Sequence, residues 1–176
     1  MGAAARTSFT DRLIRSAQLD PAVYEEIEAD TSATMQAGAV VVLGAISAGI
    51  ASGARLGFLS LLTVSLLALA SWSFYAWLAY FVGGTLLKTP QTQTNWGEIA
   101  RTLGFANSPR LLLLLGAIPG AGIIALLVVV WVVATTVVAL RAALDCGTGR
   151  AIVVAVIASI AQYALTYVLI AVQSGA

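Results

Sequence analysis

The chain has 176 residues, of which 60% are hydrophobic and 10% charged, with a mean hydropathy of +0.94. A soluble domain carries about 25% charged residues, so most of this surface must face lipid. A net charge of +1 excludes nucleic acid and strongly acidic partners, the absence of His removes histidine-held metal or haem, and the single Cys146 excludes an internal disulfide.

Residues 1–32 read as a cytoplasmic N-terminal region. Phe9, Leu13, Ile14 and Ala17 recur at helical spacing, with Thr10 as N-cap and Arg12 and Arg15 off that face. This predicts a helix lying on the membrane surface. Asp20 and Pro21 then open a second helix as N-cap and first helical residue, with Leu19 and Tyr24 spaced as a hydrophobic staple. Val23, Tyr24 and Ile27 share its apolar face, whereas Glu25, Glu26 and Glu28 are solvated or repelled by anionic lipid, so this helix stands away from the surface or packs on protein. Two readings stay open: a solvated helix leading into the first span, or an acidic partner-docking surface carried by Tyr24, Glu25 and Glu28. The first 34 residues are polar and hold six acids, unlike a cleavable signal peptide, so the first span is expected to act as the insertion signal.

Four stretches lack charge: 31–54, 56–87, 111–140 and 151–176. A bilayer core about 30 Å thick takes roughly 20 apolar residues as a helix, so each is long enough to cross. The third contains Pro119-Gly120 with Gly116 and Gly122 close by, and is either one kinked helix or two helices joined by a tight turn. Two helices put eight basic residues on the N-terminal side (Arg6, Arg12, Arg15, Lys88, Arg101, Arg110, Arg141 and Arg150) against Arg55 on the other; one kinked helix weakens this to six against three. The positive-inside rule favours the first. The predicted fold is all-α: a polytopic membrane helix bundle with five transmembrane helices, at about 33–54, 58–84, 107–119, 121–141 and 150–173, plus short amphipathic cytoplasmic helices. The N-terminus is expected in the cytoplasm and the C-terminus on the opposite side, with the bacterial cytoplasmic membrane as the expected location.

In the loop after the second span, Asn95 and Glu98 have capping-box spacing, and Trp96, Ile99, Ala100 and Leu103 share one face before Gly104 ends the helix. This predicts an interfacial amphipathic helix or, more sharply, a lipid or protein site, with Lys88, Trp96, Arg101 and Arg110 at headgroup level. The aromatic cluster Trp72, Tyr75, Trp77 and Tyr80 is read as interface anchors or as the lining of a site for a lipid or pigment tail. Among the intramembrane polar residues, Gln162, Thr135 and Thr136 are candidates, although helix packing is the ordinary use of such side chains. No Asp, Glu, Lys or Arg falls in the middle of a predicted span, so proton relays, charged-substrate transport and embedded proteases lack their usual residues. No catalytic, cofactor-binding or metal-binding residues are expected.

The order of motifs is also informative. DPAVYEEIEAD precedes the first span; WSFYAWLAYFVGG ends the second; TLGFANSP, IPGAG, VVVWVVATTVVALRAAL and GRAIVVA follow. Over roughly residues 19–172 the chain resembles the prokaryotic branch of the Yip domain family, the Ypt/Rab-interacting membrane proteins. The resemblance implies five spans, a cytoplasmic N-terminus and no catalysis; the Rab-dependent trafficking role of eukaryotic members does not carry over to a bacterium. The expected function is a non-enzymatic membrane adaptor or accessory subunit that binds other integral membrane proteins or lipid through its spans and N-terminal helix, within a larger complex or a homo-oligomer. The alternative is a transporter or binder of an uncharged or lipidic molecule between the helices, with Gln162 and the Thr135-Thr136 pair as polar contacts.

Overall fold

The computed structural model describes residues 7–52, 57–117 and 122–174; Arg6, Arg55 and the expected helix turn at Pro119 and Gly120 lie outside them. All the elements are helical: α1 (Phe9–Ala17), α2 (Pro21–Ala29), α3 (Ala33–Ala51), α4 (Phe58–Ala79) continuing as a π-helical turn (Tyr80–Leu86), α5 (Trp96–Phe105), a 3-10 helix (Ser108–Ala117), α6 (Gly122–Ala143) and α7 (Thr148–Ser174). Four helices, over Ala33–Ala51, Phe58–Leu86, Ile123–Ala143 and Thr148–Val168, are long and apolar enough to cross a membrane.

Local signals account for most helix ends. The Asp20 carboxylate accepts from the Ala22 N–H with Pro21 at the first position, and Asn95 and Glu98 form the reciprocal capping box. The cap of α1 is Ser8, which accepts from the Asp11 N–H, and not Thr10. Both α1 and α6 end in paired bonds that close the last turn backwards: Leu19 N–H to Ser16 O with Asp20 N–H to Arg15 O, and Asp145 N–H to Ala142 O with Cys146 N–H to Arg141 O. Each places a non-glycine residue in the left-handed region, Leu19 at φ 63° and Asp145 at φ 46°.

The buried core lies at one end of the bundle. It joins Val23, Tyr24 and Ile27 of α2 to Ala33, Ala37 and Val40 of α3, Ile99, Leu103 and Phe105 of α5, and the adjoining ends of α4, α6 and α7. We call this the capped end. At the open end the helices expose their apolar side chains, including Phe58, Leu59, Leu67, Ile123 and Leu126. Among the described residues the buried cluster does not extend to these faces.

The position of α5 departs from the expectation of an interfacial helix. Residues 99–106 are all buried, because α2, α3, α4 and α6 surround them. Gly104 lies within the helix and does not end it; its lack of a side chain permits contact with α3, since a Cβ there would stand 2.5 Å from the Ala37 Cβ. The chain then descends along α3. The Arg110 stem lies on Gly44, with its Cβ 3.0 Å from where a Gly44 Cβ would be, and Gly116 faces Ala51. The successive pairs 104 with 37, 110 with 44 and 116 with 51 make this run parallel to α3. Where an α-helical third span was expected at 107–119, residues Ser108–Ala117 form a 3-10 helix of 10 residues, about 20 Å long at roughly 2.0 Å per residue.

Candidate interaction surface at the capped end

The N-terminal helices are bound to the bundle by an ionic network that helical periodicity did not reveal. Arg12, expected off the apolar face, is 3% exposed. Its Nη2 donates to Glu26 Oε1 at 2.8 Å and Asp30 Oδ2 at 2.7 Å, and its Nη1 to Gln36 Oε1 at 3.2 Å, so one guanidinium joins α1, α2 and α3. Burial disfavours the charged guanidinium, but its bonds to Asp30 and Glu26 outweigh this and raise its pKa. The Ser32 hydroxyl and Arg12 hold the Asp30 carboxyl down at about 2. Burial pushes Glu26 up, yet bonds from Thr7 and Arg12 leave it lowered. Arg15 pairs with Asp20 at 2.7 Å. Thus α1 is a docked strut, and α2 packs on protein.

Tyr24, a partner-docking candidate by sequence, has no exposed surface; its hydroxyl donates to Ser16 O at 3.1 Å, and burial raises its pKa. Arg101, expected at the headgroups, is 6% exposed. Its Nε donates to Ile27 O at 3.2 Å and its Nη2 to Glu28 O, satisfying two carbonyls of the last turn of α2 where the helix dipole favours a cation. Sequence reading missed this because the partners are backbone carbonyls about 70 residues away.

What remains outward-facing is sparse. Glu25 is exposed and lines a cleft of about 240 Å³ between α2 and the α6–α7 turn, with Pro21, Val138, Arg141, Asp145 and Cys146. Glu28 is half-buried; burial, followed by the charges of Glu98, Asp145 and Glu25, pushes its carboxyl up to about 7 against the opposing pull of Arg101. Burial also raises the Cys146 thiol, which therefore stays protonated.

The aromatic candidates divide into ties and exposed rings. The Trp72 indole donates to Ala100 O at 3.0 Å and that of Trp96 returns to Ser73 O at 3.3 Å, clamping α4 to α5. Trp131, which was not singled out, donates to Ala17 O at 2.6 Å and holds the end of α1 to α6. Tyr75 O–H reaches Ala155 O on α7 at 3.3 Å. Trp77 stands exposed between Phe74 and Phe81, stacked at 5.9 and 5.7 Å. Tyr80 and Lys88 line a second cleft of about 420 Å³ beside Asn95 and Glu98. Arg150 bonds Thr89 Oγ1 at 3.0 Å and Gly83 O at 3.2 Å, securing the π-helical turn to α7.

The intramembrane polar candidates are engaged with neighbouring helices. Thr135 is fully buried with its hydroxyl 2.7 Å from Ala106 O, while Thr136 beside it is half-buried. Gln162 Nε2 donates to Ser71 Oγ at 2.6 Å, joining α7 to α4. Among the described residues no group of three or more His, Cys, Asp or Glu is placed to hold a metal ion.

Comparison of the chain with protein-family models, curated proteins and solved structures gave no match.

Proposed function

We propose that this is a non-enzymatic integral membrane adaptor or accessory subunit, docking membrane partners at its capped end, which faces the cytoplasm. The observation that carries the proposal is the separation of its polar groups. Thr135, Gln162 and Tyr75 are engaged in helix-to-helix bonds, whereas Glu25, Arg141 and Asp145 face outward together in one cleft. A conduit for solutes needs free polar groups along its helices; a docking subunit needs them at one end. Membership of the Yip domain family belongs to this proposal, and so do five crossings. The third crossing is composite: α5 contributes 10 residues, about 15 Å, and the 3-10 helix 10 more, about 20 Å, together enough for a hydrocarbon core of about 30 Å.

The test is purification of the tagged chain from native membranes in mild detergent, comparing wild type with Glu25→Lys and Arg141→Glu. A stoichiometric membrane partner that is lost in the variants while thermal stability is unchanged is the expected result. Equal recovery of that partner from all three proteins, or the absence of any partner, would overturn docking at this cleft.

A further inference from the structure

Heights along the helices place Arg110 well below the headgroup level expected of it. The 22 residues of α4 rise about 33 Å, a full hydrocarbon thickness, and α6 matches it with 22. Trp72, bonded to α5, stands about 21 Å above the first residue of α4; Thr135, bonded to Ala106, stands about 20 Å above the first residue of α6. Trp72 bonds Ala100, in the middle of α5, so the Thr135 bond to Ala106 is the one that sets the height of the helix end. Arg110 lies about 8 Å lower at 3-10 rise, against Gly44 in the middle of α3. An arginine expected at headgroup level thus sits about 12 Å above the first residue of α6, between a third and a half of the height of the bundle. It is exposed, and among the described residues no protein group bonds its guanidinium.

The surface above Arg110 is polar as well. α1 packs against both the 3-10 helix and α6, and Trp131, about 14 Å above the first residue of α6, fixes its Ala17 carbonyl close to the level of Arg110, with the rest of α1 above it. Its outer face exposes Thr10, Asp11 and Gln18 around a single apolar residue, Ile14, with Arg15 half-exposed. On the opposite side α4 keeps exposed Leu62, Leu66 and Leu67 at the height of Arg110. One flank of the molecule is therefore free of charge over the whole bilayer core, and the other over only about the 14 Å below Arg110.

We propose that the α1 and 3-10 flank is a phospholipid headgroup site: the near leaflet dips along the polar face of α1, and a lipid phosphate is held by the Arg110 guanidinium near the bilayer midplane. A guanidinium offers paired N–H donors that match a phosphate, and lipid is the one abundant source of phosphate at that depth. An uncompensated cation among acyl chains is expensive, and headgroup descent with local thinning is how a bilayer relieves that cost. The proposal rests on the crossing assigned to α5 and the 3-10 helix, but not on the docking of a partner protein.

The experiment uses full-length protein with Cys146→Ser, spin-labelled at Gln18→Cys or Leu67→Cys in phospholipid nanodiscs, with accessibility to oxygen and to a water-soluble nickel chelate measured for each label. The expected result is a chelate-accessible label at 18 and an oxygen-accessible, chelate-protected label at 67. Native mass spectrometry of the unlabelled protein is expected to show phospholipid retained after delipidation, falling about tenfold in Arg110→Leu, as for loss of one charge-assisted hydrogen-bonded pair, and falling less in Arg110→Lys. Protection of both labels from the chelate would overturn the dip. Exposure of both would mean that the crossing itself is misplaced, and equal retention by wild type and Arg110→Leu would remove the phosphate contact.

Discussion

The contact between Gly104 and Ala37 is where the descent of α5 into the bundle is most directly tested. A methyl at 104 would lie 2.5 Å from the Ala37 Cβ, 3.0 Å from its Cα and 3.1 Å from its carbonyl carbon, whereas carbon atoms pack best at about 3.5–4.0 Å. Two of these three neighbours are backbone, so no rotamer change relieves the overlap and the helices must separate. Overpacking of this kind costs about 1–3 kcal/mol, and the backbone contacts put Gly104→Ala near the top of that range. At about 2–4 °C per kcal/mol for a chain of this size, its unfolding midpoint should fall by roughly 5–10 °C. Ala37→Gly alone should cost about 1 kcal/mol, mainly as glycine within a helix. In the double variant the shortest contact is gone, so its loss should be smaller than the sum of the singles by about 1 kcal/mol or more. The assay is tryptophan fluorescence during heating in detergent, with Trp72 and Trp96 reporting on the α4–α5 clamp. Additive losses, or a neutral Gly104→Ala, would refute the close packing of α5 on α3.

Two further predictions concern the ionic groups of the N-terminal helices. Arg12→Met leaves Asp30 without a counter-ion and Glu26 with only Arg15, 3.8 Å away; breaking a fully buried pair costs about 3–5 kcal/mol, and because these carboxylates are 31% and 25% exposed, roughly half of that is expected. Hydrogen exchange should accelerate across residues 9–30 and not across α4. In the wild type this stabilisation is present above the ordinary aspartate value of 3.8 and is lost as pH falls towards about 2, where the Asp30 carboxyl takes its proton. Glu28 has the opposite sign. Its folded carboxyl binds a proton more tightly than the unfolded one, so its contribution is favourable below its ordinary 4.5 and is lost as pH rises to about 7. After allowance for its partial exposure, Glu28→Gln should be more stable than wild type by about 1–2 kcal/mol at pH 8, with the difference gone at pH 4. Thermal unfolding across this pH range checks the sign.

The sequence by itself determined what depends on near neighbours and on bulk composition. Charge-free stretches long enough for a bilayer marked the apolar helices, because the cost of desolvating the backbone and side chains leaves little choice of structure there. Asp20 with Pro21, and Asn95 with Glu98, marked helix starts because a cap reaches only two or three residues along the chain. It did not disclose where the short helices sit. Periodicity showed that residues 96–103 have an apolar face, but lipid and protein satisfy such a face equally, and only the approach permitted by Gly104 and Gly44 carried α5 inward and Arg110 down. The roles of Arg12, Arg101 and Trp131 were likewise decided by the tertiary structure, since their acceptors are carboxylates and carbonyls between 14 and 114 residues away. A cation or indole near a membrane carries the same local pattern whether it meets a headgroup or a helix end; the partner is chosen by which backbone groups the folded bundle leaves unsatisfied beside it.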